Sequence, residues 1–535
     1  MLSRTTRGSI GRSLPAALLS LLTMLTAAGA PSCGSSEDGS GFADAGGGDG
    51  TTGVDGGGGP TCDAGLATCG SSCVDVTSDP KNCGTCGTSC GAGPCCTGVC
   101  NADTVSCAFS ITRVTPKQGN QSGGDYLTIE GNGFVAGMKV LIGDGVAPAR
   151  MIDAHKAIVQ TPPGPVGDED ITISAGATKA TYKAGFRYVA AGMQLPWQEK
   201  PMAFVRGEDP GLAVLQDGRV LVVGGTTVPD SAVDTLDSAE IYTRSSDTVT
   251  NAKGKMAIKR WHSSAVTMLT GKVLVVGGAG ASNVVDLFDP KTDAFTTTGA
   301  LTTARGYTRS VLMADGRVMV TSSDAATSEI YDPDSATFTQ VPMLSAHVYG
   351  FVVRLRDGRV MAGAGDASNT TAEIFDGTTW KAAAPLNQGR SMLTAHTLPD
   401  GRVIVVGGAS ISAGAVDVPL DTIELYDPKT DKWTVAPYKL SKGRCWHASA
   451  LVRDGTVIVM GGYTIDKSCS PDNSVDQVDP VAGTVKPFGT LPRPNTEWTA
   501  VTLSDGSVLG VGGGACGAST ANPSLDFLPG VPLPK

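Results

Sequence analysis

The stretch Asp217–Gly225 reads DGRVLVVGG. The chain writes variants of it six more times: TGKVLVVGG at 270–278, DGRVMVTSS at 315–323, DGRVMAGAG at 357–365, DGRVIVVGG at 400–408, DGTVIVMGG at 454–462 and DGSVLGVGG at 505–513. Successive copies start 53, 45, 42, 43, 54 and 51 residues apart. An Asp-Gly pair suits a two-residue hairpin turn with positive φ, a region glycine enters without a Cβ clash. The apolar run after it reads as a buried strand, and the double glycine ends that strand where neighbouring units crowd. Another apolar strand precedes each turn (GLAVLQ, SAVTML). A third follows each copy (AEIYTRS, VVDLFDPKT, IELYDPKT), and then an aromatic-bearing fourth such as KWTVAPY. Each repeat therefore predicts a four-stranded antiparallel unit.

Composition agrees with this reading. The 535 residues exceed one ordinary domain, and 71 glycines with only 5% aromatics favour short strands joined by tight turns over helical bundles. A period near fifty lies in the range of kelch repeats, and these repeats resemble that family, which implies a seven-bladed kelch β-propeller over residues 191–535. The last repeat stops at SLDFLPGVPLPK without an aromatic fourth strand, whereas MQLPWQEKPM at 193–202 carries that pattern ahead of the first repeat. An N-terminal strand completing the last unit closes the ring and removes its exposed edges.

Upstream, ITRVTPKQG, GGDYLTIEGNGF, MKVLIGD, KAIVQTPPG, DITISAG and TYKAGFRYV alternate apolar and polar residues between Gly and Pro breaks, the pattern of a small β-sandwich. Pro116, Gly119, Gly123-Gly124, Gly131-Asn132-Gly133-Phe134 and Thr161-Pro162-Pro163-Gly164 resemble the IPT/TIG family of immunoglobulin-like domains. The resemblance implies an immunoglobulin-like domain over 108–190, serving as a spacer or binding module. The expected fold class is all-β: a seven-bladed propeller preceded by an immunoglobulin-like β-sandwich and a small disulfide-rich module.

That module spans 62–107 and holds Cys62, Cys69, Cys73, Cys83, Cys86, Cys90, Cys95, Cys96, Cys100 and Cys107. A short segment with few apolar side chains needs cross-links to hold a shape, and an exported chain forms them as disulfides. Zinc binding is the rival reading. The CGTC at Cys83–Cys86 lacks the βαβ frame of a redox motif. CGSSCVDVTSDPKNCGTCGTSC resembles a cysteine-rich module of secreted proteins from predatory soil bacteria, the myxobacteria, and implies a surface spacer or adhesion element.

Export is expected from residues 1–32, where Arg4, Arg7 and Arg12 precede the apolar run LPAALLSLLTMLTAAGA, too short for a membrane span. Cys33 in AGAPSC resembles a bacterial lipoprotein box and is the expected lipidation site, with simple secretion after Ala30 as the alternative. Gly34 is not a retention aspartate, which favours an outer-membrane or surface lipoprotein. Residues 33–61 then form a Gly-rich flexible tether.

The net charge of −10 becomes −13 once the three leader arginines are removed, which excludes a nucleic-acid partner of the usual basic kind. Strand two ends and strand one begins at the same face of a propeller, so the residues before each strand one are expected to ring the channel mouth. In order they are Arg206; Arg260, Trp261 and His262; Arg305 and Tyr307; His347 and Tyr349; Arg390; Arg444, Cys445, Trp446 and His447; and Glu497 with Trp498. Arginine forks suit carboxylate or sulfate and flat rings suit a sugar face. The bland alternative is that these arginines bond neighbouring backbone and the rings plug the channel. The expected ligand set is Arg206, His262, Arg305, Tyr307, His347, Tyr349, Arg390, Arg444, Trp446, His447 and Trp498. A Cys445–Cys469 disulfide is expected nearby, with Cys516 left over.

ARGYTRSVLMADGRV at 304–318 resembles the galactose oxidase family of copper-radical enzymes, which implies that Tyr307 matches its copper-binding tyrosine. His262 stands where that family carries the cross-linked cysteine, and Trp446-His447 where it carries Tyr-His. Both departures argue against radical chemistry. His262, His347 and His447 as a non-radical metal site is a further alternative. No Gly-x-Ser-x-Gly elbow, His-Glu-x-x-His helix or Walker loop is present. The expectation is a monomeric surface protein, without catalytic residues, metal or cofactor, that binds a glycan or protein and is anchored to the membrane by its lipid. The alternatives are a metal-dependent oxidase or carbohydrate-active enzyme on the same face, or a pure scaffold.

Overall fold

The computed structural model describes residues 67–530 except 70–71, 75, 77–78, 84, 92–94, 97–98, 101–108, 191, 229–233, 279–281, 323–324, 366–367, 413–414, 465–470 and 515–522. The expected leader, Cys33, the tether, Cys62, Cys107, Cys469 and Cys516 lie outside the described residues, as does the side chain of Cys96. Every regular element described is a β-strand.

The cysteine-rich module is cross-linked as Cys69–Cys86, Cys83–Cys95 and Cys90–Cys100, and Cys73 is also disulfide-bonded. The two cysteines of CGTC therefore bond different partners. The sulfurs of Cys83, Cys90 and Cys100 lie close together, but each is already spent in a disulfide, so they offer no thiolate to zinc.

Two sheets form the sandwich. One is ordered Ala149–Asp153, Lys156–Gln160, Tyr126–Asn132, Ser110–Thr115, and the other Gln118–Asn120, Thr178–Val189, Gly167–Ala175, Lys139–Ile142, Gly145–Ala147. Alternation buries Leu127, Ile129, Val140, Ile142, Ile171 and Ile173 between them with Phe134, Phe186 and Tyr188. The Tyr188 hydroxyl donates to the Pro162 carbonyl at 2.6 Å, and a Cβ on Gly164 would sit 2.3 Å from its ring, so Thr161–Gly164 closes over Tyr188 only with glycine last.

Seven inner strands follow, one per repeat: β1 (Gly211–Val214), β2 (Ser264–Thr267), β3 (Arg309–Leu312), β4 (Phe351–Arg354), β5 (Thr394–Thr397), β6 (Ala448–Leu451) and the C-terminal part of β7 (Thr484–Thr502). Each of the first five heads its own four-stranded antiparallel sheet, while the last two repeats share a seven-stranded sheet because β7 runs unbroken from one into the other. Consecutive inner strands neighbour one another, and β7 returns to β1, closing a ring. Gln198–Pro201 pairs antiparallel with Ser524–Leu528, with Gln198 opposite Phe527, so an N-terminal strand completes the C-terminal sheet. Apolar strand-two residues such as Val220, Leu221, Val222 and Val223 are fully buried between adjacent sheets.

The turns differ from expectation in one detail. Gly218 N donates to Leu215 O and Leu215 N to Arg219 O, which makes a three-residue loop with only the glycine at positive φ (83°). The aspartate acts through its carboxylate instead: Asp217 accepts from the Arg219 amide at 3.0 Å, and Asp315, Asp357 and Asp400 repeat the contact.

The sandwich docks on this turn face. Tyr126 donates to Thr267 O at 3.1 Å, Val146 N to Arg356 O at 2.8 Å and Asn120 Nδ2 to Leu503 O at 3.1 Å. Arg356 pairs with Asp144, and Arg453 bonds Asn120.

Candidate functional site

Five of the arginines expected at the mouth are not there. Arg206, Arg260, Arg305, Arg390 and Arg444 are 0–1% exposed. A buried guanidinium needs a charge partner, and each finds an acid within its own repeat, although Nε of Arg260, Arg390 and Arg444 has no hydrogen-bond partner among the described residues. Arg206 pairs with Glu240, Arg260 with Asp286, Arg305 with Glu329 and Arg390 with Glu424, all at 2.8 Å, and Arg444 with Asp476 at 3.4 Å. Most also reach the carbonyl of the first glycine of the pair, as Arg206 does at Gly224 (2.6 Å) and Arg390 at Gly407 (2.9 Å). The acids in turn accept amides of the incoming loop: Glu424 takes Asn387 N and Glu329 takes Thr302 N. These residues staple strand three to the segment entering strand one, so burial removes them from the ligand set.

The same position explains two other residues. In the fourth repeat His347 stands in for the arginine, its ring nitrogens 2.8 Å from Ala364 O and 2.8 Å from Glu373 Oε1. In the seventh, Asn495 donates to Gly512 O at 3.1 Å.

What reaches the mouth is the residue two places before each inner strand. Asp209, His262, Tyr307, Tyr349, Met392, Trp446 and Glu497 all hold positive φ, between 44° and 55°. None is glycine, and a left-handed backbone costs such residues about 1–2 kcal/mol each. The conformation turns the amides of Asp209, His262, Met392, Trp446 and Glu497 toward the preceding repeat. Met392 N donates to Tyr349 O (3.0 Å), Trp446 N to Met392 O (3.1 Å), Glu497 N to Trp446 O (2.9 Å) and Asp209 N to Glu497 O (2.9 Å). This belt of backbone bonds ties the last repeat to the first.

Four of the expected ligand residues meet there. The His262 and Tyr307 ring centres are 4.6 Å apart, Tyr307 and Tyr349 4.9 Å, Tyr349 and Trp446 5.1 Å, and His262 and Trp446 5.8 Å. Trp261 joins them, 5.8 Å from Tyr307. Trp261, Tyr307, Tyr349 and Trp446 are half-buried, while His262 lies beneath them.

The charges beside the rings are mostly carboxylates. His262 Nδ1 is 3.1 Å from Asp209, and Arg309 approaches the same carboxylate at 3.8 Å. Burial raises the Asp209 pKa, but the His262 hydrogen bond and the charges of His262 and Arg309 outweigh it and hold the group below its ordinary value. Burial raises the Tyr307 phenol, helped by Tyr349 and by the charges of Glu208 and Glu497. Below the rings a cavity of about 270 Å³ continues into the channel past Ser264, Thr308 and Thr394.

The remaining expected residues lie elsewhere. Trp498 is 3% exposed and belongs to an apolar core with Met460 and Leu491. His447 is buried, with Nε2 3.0 Å from Thr394 Oγ1, and burial lowers it to about 3. His262, His347 and His447 are thus each engaged in a separate contact and do not converge on a metal site. Cys445 is buried. Sequence reading passed over Glu208, Asp209 and Met392, although two places before each inner strand is a register visible in the repeats.

Residues 110–188 match the IPT/TIG domain family and residues 393–439 the kelch motif. Kelch-like protein 35 of Mus musculus is 32% identical over 136 residues, 25% of this chain and 21% of that protein. Kelch-like protein 33 of Homo sapiens is 34% identical over 83 residues, 16% of this chain and 14% of that protein. The chain thus spans about a fifth or less of these curated relatives. Among solved structures, a fungal alcohol oxidase of the AA5 family in complex with copper aligns with a TM-score of 0.52 at 17% identity, covering 64% of this chain and 76% of that one. That likeness is one of fold. The chain thus carries an IPT/TIG domain and a kelch motif in an all-β architecture. His262 sits beside Tyr307 where a thioether would require cysteine, so the residues present do not fit the copper-radical cofactor.

Proposed function

We propose that this is an exported, lipid-anchored binding protein of the cell surface, and that it holds a protein partner over the channel mouth. The observation that carries this reading is the half-buried cluster of Trp261, Tyr307, Tyr349 and Trp446 beside Glu208, Asp209 and Glu497. Large rings held rigidly are the usual anchors of a binding surface, and rings flanked by carboxylates attract a cation. With the arginines neutralised inside the repeats, the mouth suits a Lys or Arg side chain of the partner rather than the anionic group expected from sequence. A neutral glycan stacking on the same rings is the second reading, supported by the same cluster.

A photo-crosslinking amino acid placed at Trp261 in cells tests the reading. A discrete protein adduct is expected, lost when Tyr349→Ala and Trp446→Ala are combined with it and weakened by salt. The same adduct from the exposed Val481 position, or binding confined to neutral sugars on a glycan array, would contradict the protein-partner reading.

A further inference from the structure

Arg354 is half-buried and, like the buried Arg453, has no acid partner, but the Arg453 guanidinium is met by Asn120 and Ser504 O. Arg354 ends β4 opposite Val360. In the same register the other inner strands carry Val214, Thr267, Leu312, Thr397, Leu451 and Thr502. The three threonines do one job each: Thr267 donates to Val214 O, Thr397 to Arg354 O and Thr502 to Leu451 O, all at 2.7 Å. Arg354 does the same through Nη1 to Leu312 O at 2.6 Å. For joining adjacent repeats a threonine suffices here, so the guanidinium needs another explanation.

Its surroundings supply one. The five staple arginines each have an acid, and Arg356 has Asp144. Among the described residues no carboxylate comes within ion-pair distance of Arg354. Its other contact, Gln160 Oε1, is long at 3.4–3.5 Å. Burial without an acid lowers it to about 10.

Arg354 lines a chamber of about 710 Å³ between the inner strands and the docked sandwich. That volume falls within the ~300–1,000 Å³ usual for small-molecule sites. The chamber walls also present Tyr126, Gln160, His396 and Ser449. His396 Nε2 is 2.6 Å from Ser449 Oγ, and burial lowers it to about 4, so it is neutral near pH 7. Two acids touch the chamber, and both are engaged. Asp125 accepts from Asn120 N at 2.7 Å, and Asp217 from the Arg219 amide at 3.0 Å and its Nε at 2.8 Å. Because Asp217 is itself exposed, the chamber reaches solvent beside the first turn.

We propose that this chamber binds a small organic anion, its carboxylate or phosphate held by Arg354 and its polar groups by Ser449 and Gln160. The rival account makes Arg354 only a clamp between the sandwich and the repeats through Gln160.

Arg354→Thr separates the two, because threonine keeps the bond between repeats as its three counterparts do. The mature chain would be titrated calorimetrically and melted in citrate, glucuronate or inorganic phosphate against chloride at equal ionic strength. At least one anion should bind the wild type one-to-one and raise its melting temperature, and the citrate and glucuronate arms against phosphate tell carboxylate from phosphate ligands. Arg354→Thr should melt no lower without anion and bind at least about tenfold more weakly, with Arg354→Lys between them. No response of the wild type to any of the three, or an undiminished response in Arg354→Thr, overturns the proposal. A less stable Arg354→Thr with an unresponsive wild type identifies the clamp. The rings of the mouth do not line this chamber, although the cavity below them shares His396 and Ser449 with it, so the ring variants and Arg354→Thr test the two readings separately.

Discussion

Asp526 is the acid left behind in the seventh repeat, where asparagine occupies the arginine position. Both its oxygens are buried without a hydrogen-bond partner among the described residues, and burial pushes it up to about 7, with Arg493 opposing only in part. A carboxyl whose pKa is raised on folding stabilises the fold below its unfolded value near 4, and that contribution is lost as pH rises toward 7. Asn495→Arg should return the missing staple and raise stability at pH 8 by about 1–3 kcal/mol. Asp125, also held near 7, contributes the same slope, and the buried His396 and His447 the opposite one. The informative quantity is therefore the difference in melting temperature between variant and wild type, which should grow between pH 4 and 8. A constant or negative difference would contradict the pairing. This pairing was readable from the repeats, because every strand three carries an acid in register: Glu240, Asp286, Glu329, Glu373, Glu424, Asp476 and Asp526. Reading the arginines without those partners placed them at the mouth. The positive φ of the mouth residues was not readable, since residues as unlike as Met392 and Tyr307 adopt it under constraint from neighbouring repeats.

At the scale of the element, the repeated phrase specifies turn, buried strand and crowded end. Those assignments were legible because each rests on local chemistry: a glycine at positive φ, an apolar run and a glycine pair. The third loop residue was not, since Asp-Gly fits both turn geometries and the flanking strand bonds decide between them. The staple makes a sharper prediction. Arg390→Ala leaves Glu424 buried without its cation and should cost about 3–5 kcal/mol in chemical denaturation. A loss below about 1 kcal/mol would mean that the staple is incidental.

For the whole molecule, the ring closes twice, by strand pairing between Gln198–Pro201 and Ser524–Leu528 and by the belt of amide bonds at the mouth. The first was legible in the missing fourth strand, and the second was not. Deleting 193–202 should uncover the edge at Ser524–Leu528 and give concentration-dependent association in light scattering. A monomer of unchanged stability would show that the strand is dispensable. Docking of the sandwich over the turn face also escaped the sequence, because Asn120, Tyr126 and Val146 carry no pattern until both partners are folded. With that face covered, recognition by the repeats falls to the opposite mouth. The most direct test is the affinity of the partner captured at position 261 for a Trp261→Ala chain that melts like the wild type. Removing this anchor should weaken binding by about 30-fold or more. Undiminished affinity would contradict the claim that the unrepeated mouth residues, on a repeated scaffold, carry the function.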